Sequence, residues 1–386
     1  MSAAREYAIV VFGATGFTGG KTAEYLARHA STLRWAIAGR DQVKLDAVKA
    51  RLVAIDPRNA AVGTLVARVD DESSLQRMAA ATSVLVTTVG PFIDYGEPVV
   101  RACVEARTDY VDSTGEPFFF QLLHARYSER ARERGVRLVP SCGFDAIPAD
   151  LGALFTVRQL PRGCPIQLAG YMSWKAVFSG GTERSALKSV VPPSEPIVAP
   201  AFTPRAGRKV AIRTERPRKH PLLGAWVSPL ETVDSAIVAR SAASLDDYGP
   251  DFSYAHNVQH ASFGHMLAAF ALFGTAGFFA RYALPRDVFL KLAKQAGSGP
   301  TQAQMDESWF KLRFIAECGG TRVLTEVAGG DPGYGETSKM LAEAGMCLAL
   351  ERDTLPQRAG VLTSAEAMGD ALLARLQRAG LSFRVV

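Results

Sequence analysis

Gly13, Gly16 and Gly19 follow one another at three-residue spacing, between an apolar run at Tyr7–Phe12 and a helix-forming stretch from Lys21 to His29. Glycines so placed in a strand-to-helix turn suit the binding of a pyrophosphate. The first lets the chain turn sharply, the second lets backbone approach the phosphates, and the third lets helix and strand pack closely. The helix start then offers unpaired N–H groups and the positive end of its dipole. Ala14, Thr15, Phe17 and Thr18 complete the turn. Thr15 stands where the commonest fingerprint has its second glycine, and the GxxGxxG form is typical of reductases that take the phosphorylated cofactor. The next apolar run, Trp35 to Ala38, ends in Gly39-Arg40. NAD sites usually have a carboxylate there, about 20 residues on, for the ribose 2′-hydroxyl. An arginine can instead pair with a 2′-phosphate through a two-pronged, charge-assisted contact. The expected cofactor is NADP, held by these residues together with Asp70, Val89, Gly90 and Pro91.

Proton delivery needs a titratable group near the nicotinamide. Tyr95, Asp112, Glu116, Cys142 and Asp145 lie in loops that reach that region, and Tyr95, Cys142 and Asp145 are the catalytic candidates. Tyr171 and Lys175 have the spacing of a short-chain dehydrogenase pair, but their surroundings read as a strand, which puts them about 13 Å apart. His256 and His260 would share a helix face, yet no carboxylate completes a metal site, and no metal is expected. Neither a GxSxG elbow nor a GxxxxGK loop occurs.

The elements that must position these residues alternate from 7 to 150. Strands at 64–69, 83–88, 109–112 and 136–140 are separated by helices at 41–54, 72–80, 96–106 and 117–134. That order predicts an α/β fold with a Rossmann-type parallel sheet. Ligands sit at the carboxyl ends of such strands, so the loops at 13–19, 39–41, 70–72, 88–95, 113–116 and 141–148 should share one edge. At 386 residues the chain suggests two domains. Past 151 the pattern changes to a strand at 166–177. Residues 192 to 221 then hold seven prolines and seven basic residues against two acids, which suits a long excursion with short strands. Residues 266 to 280 are apolar apart from Thr275, with Arg281, Arg286, Lys291 and Lys294 following. Fifteen helical residues reach about 22 Å, too short for a hydrocarbon core of about 30 Å. An interfacial anchor, a wall for a long acyl chain and a buried core or dimer helix all fit such a run. Five scattered cysteines indicate neither a disulfide framework nor a zinc site and fit a reducing cytoplasm. No signal-peptide pattern opens the chain. A net charge of +6 favours anionic ligands, and no basic–aromatic stripe supports nucleic-acid binding.

In combination these motifs resemble the saccharopine dehydrogenase-like reductases, and more closely the trans-acting enoyl reductases of actinobacterial lipid biosynthesis. The matching stretches are Gly13–Phe17, Ala38-Gly39-Arg40, Thr87–Pro91, Tyr95-Gly96, Thr108-Asp109-Tyr110, Thr114-Gly115-Glu116, Cys142–Asp150, Ser179–Thr182, Gly360–Thr363 and Ala367–Leu373. Together they cover close to the whole chain. The resemblance implies an NADP-binding Rossmann domain over 1–150, completed by about 331–386, with an inserted α+β domain for substrate or oligomerisation over 151–330. It also implies reduction of a polyketide-derived acyl thioester delivered on a carrier protein. Peripheral contact with the inner face of a membrane and a homodimer are further expectations.

Overall fold

The computed structural model describes residues 5–177, 197, 204–280 and 299–386. Ser179–Thr182, most of the proline stretch before 204, and the cations Arg281, Arg286, Lys291 and Lys294 lie outside the described residues.

Six strands, β1 (Tyr7–Phe12), β2 (Trp35–Gly39), β3 (Gly63–Val66), β4 (Thr82–Thr87), β5 (Asp109–Asp112) and β6 (Arg137–Val139), come first. Their helices are α1 (Phe17–His29), α2 (Gln42–Ile55), α3 (Glu72–Ala81), α4 (Phe92–Ala106), α5 (Pro117–Glu133) and α6 (Ile147–Val157). Then follow β7 (Ile166–Lys175), β8 (Lys209–Ile212), β9 (Arg218–Lys219), β10 (Trp226–Pro229), α7 (Val233–Ser244), β11 (Asp251–His260), α8 (Phe263–Ala280), α9 (Gln302–Asp306), β12 (Trp309–Cys318) and β13 (Thr321–Gly329). The chain ends with α10 (Thr337–Leu350), β14 (Gly360–Val361), α11 (Ser364–Ala367), α12 (Gly369–Arg378) and β15 (Ser382–Val385).

The first sheet has the order β14-β6-β5-β4-β1-β2-β3, and every pairing in it is parallel. Both of its faces are covered, so its strands are apolar without alternation. The two-residue period still sorts their side chains. Ile9 and Val11 of β1 enter one core cluster, while Val10 and Phe12 enter the other. Helix α10 lies close against β4, because Gly345 has no side chain to meet Val86.

A second, mixed sheet of eight strands has the order β15-β13-β12-β7-β11-β10-β9, with β8 pairing to β11. Strand β7 at its centre is parallel to β11 and antiparallel to β12. The tail divides between the layers: β14 extends the first sheet beside β6, whereas β15 closes the second beside β13. Helix α6 joins them, with Gly152 seated against Phe314 of β12 and Val327 of β13. Its Asp150, fully buried, accepts from Ser241 Oγ (2.5 Å), Ser364 Oγ (2.7 Å) and Ala365 N (2.8 Å), which fastens α6 to α7 and α11.

One expectation is corrected. Cys164 and Cys318 form a disulfide, with Cα atoms 5.7 Å apart. Cys164 precedes β7 and Cys318 ends β12, and the antiparallel register that sets Gln167 against Glu317 brings them together. At a sequence separation of 154, the pairing left no trace in local spacing.

Asp109 at the start of β5 is buried; it accepts from the Arg137 backbone N–H (2.9 Å) and the Arg352 guanidinium from the tail, and faces the buried Arg137 guanidinium as an ion pair at 3.7 Å. Removing one partner of a buried ion pair costs about 3–5 kcal/mol because the other charge is left uncompensated. Asp109→Ala should therefore lower the urea midpoint markedly. An unchanged midpoint would show that this ion group does not stabilise the sheet.

Candidate functional site

Strand β1 delivers Gly13 with φ of +93°, a conformation that side chains resist. The turn is closed by Gly13 N to Ala38 O (3.0 Å) and Gly16 N to Gly13 O (2.9 Å). A Cβ at Gly19 would collide with the Gly13 carbonyl oxygen and with Thr88 Oγ1, so the third glycine is what allows α1 to start this close to β1. Gly16 caps α1 without a side-chain acceptor. The N–H groups of Phe17, Thr18 and Gly19 thus lack an intrahelical acceptor, as an anion-binding helix start requires. Val89 packs over Gly13, and Gly90-Pro91, joined by a cis peptide bond, leads into α4. These residues fit a dinucleotide pyrophosphate.

At the end of β2, Arg40 is exposed. Asp41 turns back to cap α2, its carboxylate accepting from Lys44 N at 3.1 Å. Asp70, past the end of β3, pairs with Arg68 at 2.9 Å. The hydrogen bond from Arg68, with Arg40 adding its charge, holds Asp70 below the usual carboxylate range. Arg40, Arg68 and Asp70 therefore cluster at the sheet edge where the adenosine ribose of a dinucleotide would sit. Arg68 was not singled out from the sequence.

The loops after β5 and β6 are knotted at Asp112. Its buried carboxylate accepts from Tyr110 OH (2.7 Å), Thr114 N (2.8 Å) and Ser141 N (2.8 Å). Burial pushes it up to about 6 despite these donors. Ser141 holds φ of +62°, an unusual value for a residue with a side chain, and its buried hydroxyl makes no hydrogen bond. Strain of this kind collects at functional sites, yet nothing in the sequence marked it. Glu116 spans to the next loop and accepts from Phe92 N and Ile93 N, both at 2.9 Å. It caps the start of α4, in whose first turn Tyr95 is exposed.

The three proton-delivery candidates differ sharply in environment. Cys142 is fully buried, its thiol donating to Val139 O at 3.4 Å, and burial drives it well above the ordinary thiol range. Tyr95 faces solvent. Asp145, in the loop before α6, is exposed. Its Oδ2 sits over Gly115, 2.6 Å from where a Cβ would be. Loss of hydration, reinforced by Asp234 at the start of α7, pushes its carboxyl up to about 7.

A further segment, 331–338, crosses this edge. Asp331 Oδ2 accepts from Tyr334 N and Gly335 N, both at 2.9 Å. Tyr334 packs edge-on against Phe17 at 4.8 Å, Ser338 Oγ donates to Thr18 O, and Thr337 Oγ1 accepts Phe144 N at 3.1 Å. The run Gly329-Gly330-Asp331-Pro332-Gly333 signals a turn in the sequence, but its place over the cofactor loop is a tertiary fact.

Other sequence candidates fall outside this edge. Tyr171 and Lys175 lie on strand β7, where Tyr171 is buried against Glu215 and Lys175 pairs with Glu307. His256 and His260 lie on strand β11 and not on a helix, bonded to Tyr254 and Ser228. Three half-buried arginines of the basic stretch serve as scaffolding: Arg208 donates to Ala242, Leu245 and Gly249 carbonyls, Arg213 to Ser253, and Arg218 to Glu215. Phe263, Leu267 and Phe270 form an exposed apolar face on α8, whereas Met266 points inward. Among the described residues, no helix is long and apolar enough to cross a membrane.

Residues 9–139 match the saccharopine dehydrogenase NADP-binding domain. A trans-acting enoyl reductase from Mycobacterium tuberculosis is 34% identical, over 98% of this chain and 97% of its own length. Another from Mycobacterium ulcerans is 33% identical, over 98% of each chain. In fold, the chain resembles apo saccharopine dehydrogenase (L-Glu forming) from Saccharomyces cerevisiae, with a TM-score of 0.57 over 98% of this chain and all of that one, at 12% identity. With an NADP-binding turn at the carboxyl edge of its parallel sheet and kinship along nearly its whole length, the chain is an NADP-binding oxidoreductase and belongs to the saccharopine dehydrogenase-like family.

Proposed function

We propose that the protein is a trans-acting enoyl reductase, which reduces the double bond of an α,β-unsaturated acyl or polyketide thioester delivered on a separate carrier protein. The observation that supports this most is the near-full-length identity to two trans-acting enoyl reductases. NADPH, when bound, supplies the hydride that reaches the β-carbon. The turn Gly13–Thr18 with Gly39 holds the pyrophosphate end, Arg40 faces the 2′-phosphate beside Asp70, and Val89-Gly90-Pro91 borders the nicotinamide. Asp145 donates its proton to the α-carbon as the double-bond electrons move there, and recovers a proton from solvent. Its raised affinity for a proton suits a donor at neutral pH, since efficiency is greatest when the catalytic pKa lies near the working pH. Cys142 acts instead as a buried support of the same loop, and Tyr95 borders the entrance.

The apolar face of α8 takes a greasy surface. Phe263, Leu267 and Phe270 recur at the helical period, Trp226 packs against Phe263 at 4.8 Å, and the sequence places four cations after the helix. We assign it to peripheral contact with an anionic lipid surface, where the product chain is apolar enough to partition.

Four measurements test this reading. Purified protein should oxidise NADPH steadily in the presence of an enoyl thioester on a carrier; turnover only with amino-acid substrates would overturn it. Asp145→Asn should lower kcat about 10²–10⁴-fold, the range of a general acid, while NADPH still binds, and full activity would remove Asp145 from the mechanism. For the cofactor, Arg40→Ala should weaken NADPH roughly ten- to a hundredfold, the loss of about 1.5–3 kcal/mol expected of a charge-assisted contact, with NADH unaffected. Equal affinity of the unmodified protein for both cofactors would refute that role. On anionic vesicles, each large apolar side chain buried is worth about 1.5–3 kcal/mol. The Leu267→Glu, Phe270→Glu double variant should therefore lose most co-sedimentation, and failure of the unmodified protein to bind would exclude the lipid contact.

A further inference from the structure

Three of the five cysteines are sealed in the core, and two meet near the surface. Cys103, Cys142 and Cys347 are fully buried and unpaired, and burial raises each thiol, which leaves them inert. The Cys164–Cys318 bond has the opposite setting. Cys164 is half-buried in the connection from α6 to β7, between exposed Gly163 and Pro165, while Cys318 at the end of β12 is 2% exposed. The β12–β13 hairpin turns beside the bond through Gly319 and Gly320, at φ of +55° and +84°. A Cβ at Gly319 would stand 3.6 Å from Cys164 Sγ, so the missing side chain leaves that sulfur uncovered from the turn. Next to the bond is an open depression of about 510 Å³, lined in part by Pro165, Gln167, Cys318, Gly319 and Arg322. That volume is within the range of small-ligand sites.

We propose that Cys164 is a thiol-exchange site: a low-molecular-weight thiol enters the depression, attacks Cys164 Sγ and opens the bridge. The second layer is thereby fastened or released according to the thiol balance around the protein. This does not depend on the enoyl reductase reading. Access selects the sulfur that is attacked, and Cys164 is the accessible one. Solvent-reachable disulfides are the labile and regulatory ones, and those that occur among thiols are mostly redox-sensing.

The exchange balances in two steps. The incoming thiolate forms a bond to Cys164 Sγ as the Cys164–Cys318 bond breaks. The electron pair leaves on Cys318 Sγ, which takes up the proton shed by the incoming thiol. Pro161 O lies 3.4 Å from Cys318 Sγ and 3.6 Å from Cys164 Sγ, so either thiol finds an acceptor once formed. A second small thiol then attacks the added sulfur, frees Cys164 as a thiol and departs in a symmetrical disulfide. Two small thiols are oxidised and one bridge is reduced. The bond joins elements at a sequence separation of 154, so opening it frees a long loop of the unfolded chain and lowers stability. Phe310, which packs on Phe144 of the site loop, is eight residues before Cys318 on β12, about 26 Å away. What opening changes is therefore the hold on the far edge of the second layer.

The folded full-length protein tests this. After oxidation with diamide, alkylation without denaturant should label no cysteine. Reduced glutathione should then open the bridge, make Cys164 available for alkylation and lower the Tm by several degrees. Cys318→Ser treated with oxidised glutathione should carry one adduct, mapped by peptide mass to Cys164. In Cys164→Ser, the adduct at Cys318 should form about tenfold more slowly or slower still, because that sulfur is covered. Should either variant fail to fold, acid-trapped mixed disulfides of the unmodified protein decide which sulfur is attacked. The proposal is overturned if the bridge opens only in denaturant, if Cys318 takes the adduct as fast as Cys164, or if both remain free thiols after oxidation. An unchanged Tm would overturn the fastening role. Opening by a dithiol alone, with no glutathione adduct on Cys164, would overturn the small-thiol site.

Discussion

The geometry of the site hangs on the Asp112 carboxylate. Its acceptor positions are filled by Tyr110 from its own strand, Thr114 from the loop that follows and Ser141 from the end of β6. A buried carboxylate is tolerated only when donors replace its water, and here the donors are the backbones of the two loops that must be held together. The consequences extend outward. Fixing Thr114 places Gly115 under Asp145, and the next residue, Glu116, supplies the cap that α4 lacks at Pro91. Fixing Ser141 forces it into the left-handed region and aims the Cys142–Ala146 segment toward the second layer. One carboxylate thereby sets the relative positions of three loops.

The second layer is fastened to this edge by polar as well as apolar contacts. Asp150 binds α6 to α7 and α11, Thr337 ties the start of α10 to Phe144, and Tyr334 rests on Phe17. Buried side-chain networks of this kind are costly unless fully satisfied, but once satisfied they specify a single arrangement. Ser141 Oγ and Asp234 Oδ1 are among the buried polar atoms left without partners, as are scaffold atoms such as Arg137 Nε, Tyr248 OH and His256 Nε2.

Charge composition alone does not say which cations of a stretch bind the scaffold. Of the seven cations between 192 and 221, Arg205, Lys209, Arg216 and Lys219 are exposed, while the half-buried Arg208, Arg213 and Arg218 satisfy carbonyls, a hydroxyl and a carboxylate of the second layer. Long guanidinium side chains can close several backbone acceptors at once. Conversely, the apolar run of α8, which composition alone assigned equally well to the interior, keeps Phe263, Leu267 and Phe270 in solvent.

Local sequence was enough for the cofactor half. The glycine spacing dictates the turn because only glycine tolerates the φ of residue 13 and the missing Cβ at 19. The unbroken apolar strands dictate a sheet covered on both faces, and strands alternating with helices dictate that it is parallel. Those features act within about thirty residues of one another, so their physics is readable in order along the chain. The rest is long-range. The Cys164–Cys318 pairing, the division of the tail between two sheets and the 331–338 crossing over Phe17 all depend on how non-adjacent strands register.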